Sequence, residues 1–144
     1  MKNYLFLSTS PGENVSSAAI LFLRLFIGVL MITHGWAKIE NFEAFSQGFP
    51  DPIGLGSKFS LILAIGAEVF ASFFLILGLL TRLSLIPLIF TMGVAFFVVH
   101  ANDPFQQKEL ALIYLGIYAI LFLLGPGRYS ADRLFLAKVF KIKD

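Results

Sequence analysis

Arg24 and Glu68 each interrupt a long apolar run, where an ionisable group is costly unless it faces a bundle interior, a partner or a water-filled cavity. Arg24 precedes Lys38 by fourteen residues, and Glu68 follows Lys58 by ten. If both lysines mark one membrane surface, a helical rise of about 1.5 Å per residue sets the two groups roughly 21 and 15 Å deep. That difference, about 6 Å, is within reach of an arginine side chain. The spacing therefore predicts a buried Arg24–Glu68 pair, which offsets much of the cost of either ion alone. Two readings of the pair stand: a lock that fixes how the first two helices pack, or a polar intramembrane site for a proton or a quinone head group.

A second group gathers near the ends of the runs. His34, Trp36 and Lys38 close the first, His100 closes the third, and Lys108 and Glu109 open the fourth. Histidine can shuttle protons near neutral pH or ligate a metal or haem. Two histidines on separate helices are the minimum for a bis-histidine haem, yet neither belongs to a close-spaced H-x-x-x-H pair. No metal site is expected, and haem has weak support. His34, Lys38, His100 and Glu109 form a candidate outer-side polar cluster, which reads either as a set of proton carriers or as residues that favour the headgroup region. No catalytic residue can be assigned. Cysteine is absent, so thiolate zinc sites, Fe–S ligation and thiol nucleophiles are excluded.

The elements that must position these groups follow from composition. Of 144 residues, 58% are hydrophobic and 14% charged, against roughly 45–50% and 25% in soluble domains, and the mean hydropathy is +0.84. Four runs at about 15–37, 59–81, 83–102 and 110–127 match the roughly 17–25 residues that cross a bilayer core as a helix. Period-two alternation is missing, which argues against a barrel, and backbone groups in hydrocarbon must bond within their own segment. The expected fold is an all-α membrane protein, a four-helix antiparallel transmembrane bundle forming one domain over 1–144. A soluble bundle would keep a polar stripe on each helix, and LILAIGAEVFASFFLILGLL has none. The opening MKNYLFLSTSPG is too short in its apolar part for a leader, so the first span is expected to be retained.

With four spans, Lys2, Arg82, Arg128, Arg133, Lys138, Lys141 and Lys143 share one face, and Lys38, Lys58 and Lys108 the other. The excess marks the cytoplasmic side, so both termini are expected inside. Ser57 is expected to cap the second helix, Asn102-Asp103-Pro104 to turn the chain, and Gly125-Pro126-Gly127 to stop the fourth helix. The end SADRLFLAKVFKIKD reads as a short amphipathic basic helix on the inner leaflet or a solvated tail. Small residues at Gly28, Gly35, Ala67, Ala71, Gly93 and Gly116 mark places where helices could approach closely. The cations flank a membrane without a water-exposed reading element, so nucleic acid is excluded as a partner. No dinucleotide fingerprint, P-loop or nucleophile elbow is present.

Taken together, RLFIGVLMITHGWAK, AEVFASFFLILGLLTR, His100 and GPGRYSAD resemble the DoxX family of small bacterial inner-membrane proteins. The matching positions are Arg24, Leu25, Gly35, Lys38, Glu68, Leu75, Gly78, Leu79, Thr81 and Arg82, then Gly125 to Ser130 and Asp132. The resemblance covers about Ala18 to Arg133. It implies a four-helix integral membrane protein of the bacterial inner membrane. It also implies a link to oxidoreductase work: the membrane part of a thiosulfate–quinone oxidoreductase, catechol- or quinone-handling reductases, or a membrane partner for antioxidant and sulfur-transfer enzymes. Two roles follow as expectations. One is a membrane subunit of a quinone-linked oxidoreductase, with Arg24 and Glu68 at the head group. The other is a non-catalytic scaffold that docks a soluble redox or sulfur-transfer enzyme on the cytoplasmic face. The expected partners are thus the lipid bilayer, such an enzyme and further copies of the chain.

Overall fold

Residues 12–140 are described by a computed structural model; Lys2, Lys141, Lys143 and the leader question lie outside them. Helix α1 spans Glu13–Glu40, and a short α2, Phe42–Ser46, follows it. Then come α3 at Ser57–Leu77, α4 at Thr81–Val99, α5 at Phe105–Leu124 and α6 at Ala131–Phe140. The long helices α1, α3, α4 and α5 are each long and apolar enough to cross a bilayer. At about 1.5 Å per residue even the shortest, nineteen residues, reaches roughly 28 Å. We call the end holding the α3–α4 turn and α6 the terminal end, and the one holding the 41–56 loop and the α4–α5 turn the loop end.

The four helices lie antiparallel around Ile27, Met31, Leu75, Leu85, Leu88, Tyr118 and Leu121, all essentially inaccessible. Phe22, Phe70, Phe73, Phe97 and Leu123 are more than half exposed and point outward. A soluble protein could not carry such a belt, whereas lipid is as apolar as these side chains. Lipid gives little hydrophobic drive between helices, so association rests on close packing and polar contacts. Two glycines on α1 supply the closeness. A methyl group on Gly28 would meet the Ile76 side chain at 2.6 Å, and one on Gly35 would meet Val69 Cγ2 at 2.5 Å. Gly93 and Gly116 face open space, so they do not make the close helix contacts expected of them.

Two π-helical stretches interrupt the ladder, Gly66–Ala71 in α3 and Ala95–Val99 in α4. Each extra residue per turn widens the helix and changes the direction of the side chains beyond it, a departure frequent at functional sites. The start of α3 is also organised otherwise than expected. Ser57 is its first helical residue, not its cap. Asp51 does the tying: its carboxylate accepts from the N–H groups of Leu55 and Gly56 and from the Ser60 hydroxyl, all within 2.7–2.8 Å.

Candidate functional site: an ion pair beneath a loop-end cavity

Gly28 on α1 faces Ser72 and Ile76 of α3, and Gly35 faces Glu68 and Val69. This antiparallel register sets Glu68 level with Gly35, three residues from Lys38, and sets Arg24 eleven residues away, roughly 16 Å nearer the terminal end. The Arg24–Glu68 pair is therefore not formed. The two lysines used as depth marks do not share a height: Lys58 rises about 10 Å above the level of Lys38. Glu68 pairs instead with Lys38, Nζ to Oε2 at 2.7 Å. The carboxylate side chain is 4% exposed and the ammonium side chain 21%.

Arg24 is fully buried at the terminal end. Its guanidinium donates to the backbone carbonyls of Pro126, at 2.9 Å, and Tyr129. Gly78, in the left-handed region at φ 67°, presses so closely that a methyl there would run into the guanidinium. Asp132 completes the knot. Its carboxylate accepts from the N–H groups of Leu80 and Thr81, at 2.6 and 2.9 Å, and its own N–H donates to Gly78 O. The tight α3–α4 turn, in which Leu80 takes a positive φ of 48°, is thus capped from α6. Ser130 Oγ accepts from Arg133 N–H at 3.3 Å and begins that helix. Arg82 donates to Phe122 O, and Arg128 to Glu13 and Asn14. Leu134 and Phe135 on α6 are about two-thirds exposed.

Glu68 and Lys38 sit at the wall of a cavity of about 690 Å³ among the four long helices at the loop end. Met31 and His34 line it from α1, Ala64 and Ala67 from α3, Thr91 and Ala95 from α4, and Ala111 and Tyr114 from α5. Both π-helical stretches contribute to its wall. The His34 ring meets Tyr114 edge-on at 5.7 Å, and Tyr114 lies 5.9 Å from the buried Tyr118. Leu75, Leu85, Leu88 and Leu121, each 0% exposed, separate this polar patch from the Arg24 knot. The 41–56 loop borders the cavity with Phe45, Phe49, Pro50 and Ile53. Asp51, which holds that loop, has its carboxyl kept below the ordinary range, chiefly by the Gly56 N–H and then by the Ser60 hydroxyl.

The expected outer-side cluster is brought together in part. His34, Lys38 and His100 line the cavity, while Glu109 is exposed and outside its wall. His100 Nδ1 lies 2.6 Å from Asp103 Oδ2 within the α4–α5 turn, and Lys108 stands 5.5 Å over the Phe96 ring. Tyr114 and Asp51 were not among the sequence candidates. Tyr114 follows Ala111 and Leu110 at helical spacing on the same face, the signal that could have found it. Asp51 stands in Asp-Pro-x-Gly-x-Gly, a turn composition whose short carboxylate caps nearby N–H groups.

Four lipid-length helices around a buried ion pair and a loop-end cavity define a multi-pass membrane protein whose surroundings are a lipid bilayer. The chain belongs to the DoxX family, whose family model matches residues 19–101. It is similar to an uncharacterized protein of Haemophilus influenzae, 31% identical over 136 residues that cover 89% of each chain. It is also similar to inner membrane protein YqjF of Escherichia coli, 30% identical over 131 residues, 85% of this chain and 95% of that one. A second uncharacterized protein of H. influenzae is 30% identical over 126 residues, 83% of this chain and 92% of its own. No solved structure matches.

Proposed function

We propose that the chain is the membrane subunit of an oxidoreductase system and that its loop-end cavity receives the head group of a quinone. The observation that carries this reading is a largely apolar cavity of about 690 Å³ with the Lys38–Glu68 pair at its wall. Its volume falls in the range of roughly 300–1,000 Å³ usual for small-molecule sites, which combine apolar walls with a few polar groups that fix orientation. A quinone offers two carbonyl acceptors on a flat ring. Lys38 can donate to one of them, and Glu68 and His34 can exchange the protons that accompany reduction. The two electrons of the reduction come from the redox partner of the system. Arg24 has no part in this site.

In the same reading residues 1–144 act as one unit in a bacterial inner membrane, where the name of the E. coli relative puts that protein, with the terminal end cytoplasmic. The cation excess at that end supports the orientation. The scaffold role draws less support, because Arg82 and Arg128 spend hydrogen bonds on the bundle itself. Lipid extraction of gently solubilised protein tests the proposal. Wild type is expected to retain quinone, and Glu68→Gln to lose it. An extract without quinone, together with no uptake of added quinone, overturns it.

A further inference from the structure

We propose that the loop-end cavity is loaded sideways from the bilayer, through a cleft between α3 and α4, and that its ligand keeps an apolar chain in that cleft while its polar end reaches Lys38 and Glu68. This rests on the reading of the cavity as a ligand site. It adds a route and a class of ligand, a membrane amphiphile with an alkyl or prenyl chain.

Three observations carry it. First, α3 and α4 pack together through Gly66–Ala71, Ser72–Leu77 and Thr81–Val94, whereas the Ser57–Ile65 part of α3 packs on α1 and has no comparable contact with α4. Helix α5 stays with α4 as far as Ala95–Val99. The bundle therefore opens towards the loop end between α3 and α4, while α1 and α5 still meet there through His34 and Tyr114.

Second, Pro87, Phe90, Thr91 and Val94 all line the cavity, and their i, i+3, i+4, i+7 spacing makes them one stripe along α4. Leu63, Ala64 and Ala67 of α3 line the same cavity as this stripe, whereas Phe96 lies beneath Lys108 of α5. The Thr91 hydroxyl donates back to Pro87 O at 2.8 Å, leaving the stripe apolar in character.

Third, the cavity wall runs out to the lipid-facing surface. Phe90 is 56% exposed and Leu63 of α3 is 46% exposed, yet both line the cavity. A residue that belongs to both surfaces is a rim. Phe90 lies nine residues from Val99, roughly 14 Å into the membrane from that end of α4. The cavity also reaches the surface at the loop end, where the half-buried Phe49 and the exposed Pro50 and Ile53 border it. A ligand dissolved in lipid meets the rim at Phe90 and Leu63 without leaving the bilayer.

The chain has no cysteine, so a Leu63→Cys/Phe90→Cys pair can be bridged selectively by a short bis-maleimide in the full-length protein. Binding is then measured for decylubiquinone, which carries a chain, and for 2,3-dimethoxy-5-methylbenzoquinone, which has only the head. The bridge is expected to weaken binding of the first by about tenfold or more and to leave the second within about twofold. Equal binding of both before and after bridging overturns the proposal. A second measurement does not depend on quinone. In Trp36→Phe protein carrying Thr91→Trp, phospholipid brominated on its chains is expected to quench the new tryptophan nearly as well as one at Phe90→Trp. Quenching at 90 but not at 91 overturns the route. Quenching at both positions, with neither quinone bound, sustains the route and removes the quinone reading alone.

Discussion

Both ends of the bundle bury an ion, and they satisfy it in opposite ways. At the terminal end, Arg24 is held by two backbone carbonyls and crowded by Gly78, with its Nε buried without a hydrogen-bond partner among the described residues. At the loop end, Glu68 has one flexible side-chain partner, Lys38, and borders a cavity. Backbone carbonyls fixed by a turn cannot be exchanged for a ligand, whereas a lysine on a four-carbon stem can swing between a carboxylate and a newcomer. The comparison predicts that the first end serves stability and, on the proposed reading, that the second serves ligand binding.

Removing a fully buried charge partner is the harshest way to test that division. Arg24→Met leaves the Pro126 and Tyr129 carbonyls without their donor. At about 1–3 kcal/mol for each buried acceptor left unmade, it is expected to cost about 2–6 kcal/mol, seen as a large fall in melting temperature in detergent. If Arg24→Met melts like wild type, the knot is no lock. A smaller loss is expected from Gly35→Ala, whose methyl forces α1 away from Val69; overpacking of this kind costs about 1–3 kcal/mol. Gly93→Ala, with nothing near the added methyl, is expected to be neutral or stabilising by up to about 1 kcal/mol, as alanine is the better helix former. Equal melting of the two variants would show that α1 and α3 are not held by close approach at Gly35.

Glu68→Gln sharpens the contrast from the other side. The amide oxygen can still accept from Lys38, and the ammonium, about one-fifth exposed, can turn towards the loop end for solvation, so the melting shift is expected to be smaller than that of Arg24→Met. Ligand retention, not stability, is the expected casualty. A Glu68→Gln protein that melts far below wild type yet still retains its ligand when folded would reverse the role given to this end.

Both ions were visible in the sequence, and their partners were not. Run length revealed the four spans, because the bilayer fixes how many apolar residues a helix needs. The pairing failed because depth was measured from Lys38 and Lys58 as if they lay level, and no sequence signal reports the register set by Gly28 and Gly35 against α3. Arg24 binds carbonyls of Pro126 and Tyr129; a backbone acceptor has no residue type to betray it. The GPGRYSAD segment could be read as a helix stop, but its return beneath Arg24 is a tertiary event. The π-helical turn that carries Glu68 likewise has no signature in the apolar pattern.

The smallest expected effect concerns the loop that borders the cavity. Asp51 gathers the N–H groups of Leu55 and Gly56 and the Ser60 hydroxyl, and these bonds hold its carboxyl below the ordinary value. A carboxyl more acidic in the folded loop than in the free chain contributes its stabilisation above the free-chain value, about 3.9 for aspartate. That contribution fades as pH falls through the lower folded value. Proteolysis within residues 41–56 should therefore stay slow at neutral pH and quicken only on acidification below about pH 4. Asp51→Ala should quicken it at neutral pH and remove the acid dependence, with the four spans still protected. If the variant's loop is cut no faster than wild type at neutral pH, the loop is held by contacts other than this carboxylate, and Asp51 does not set access to the cavity from the loop end.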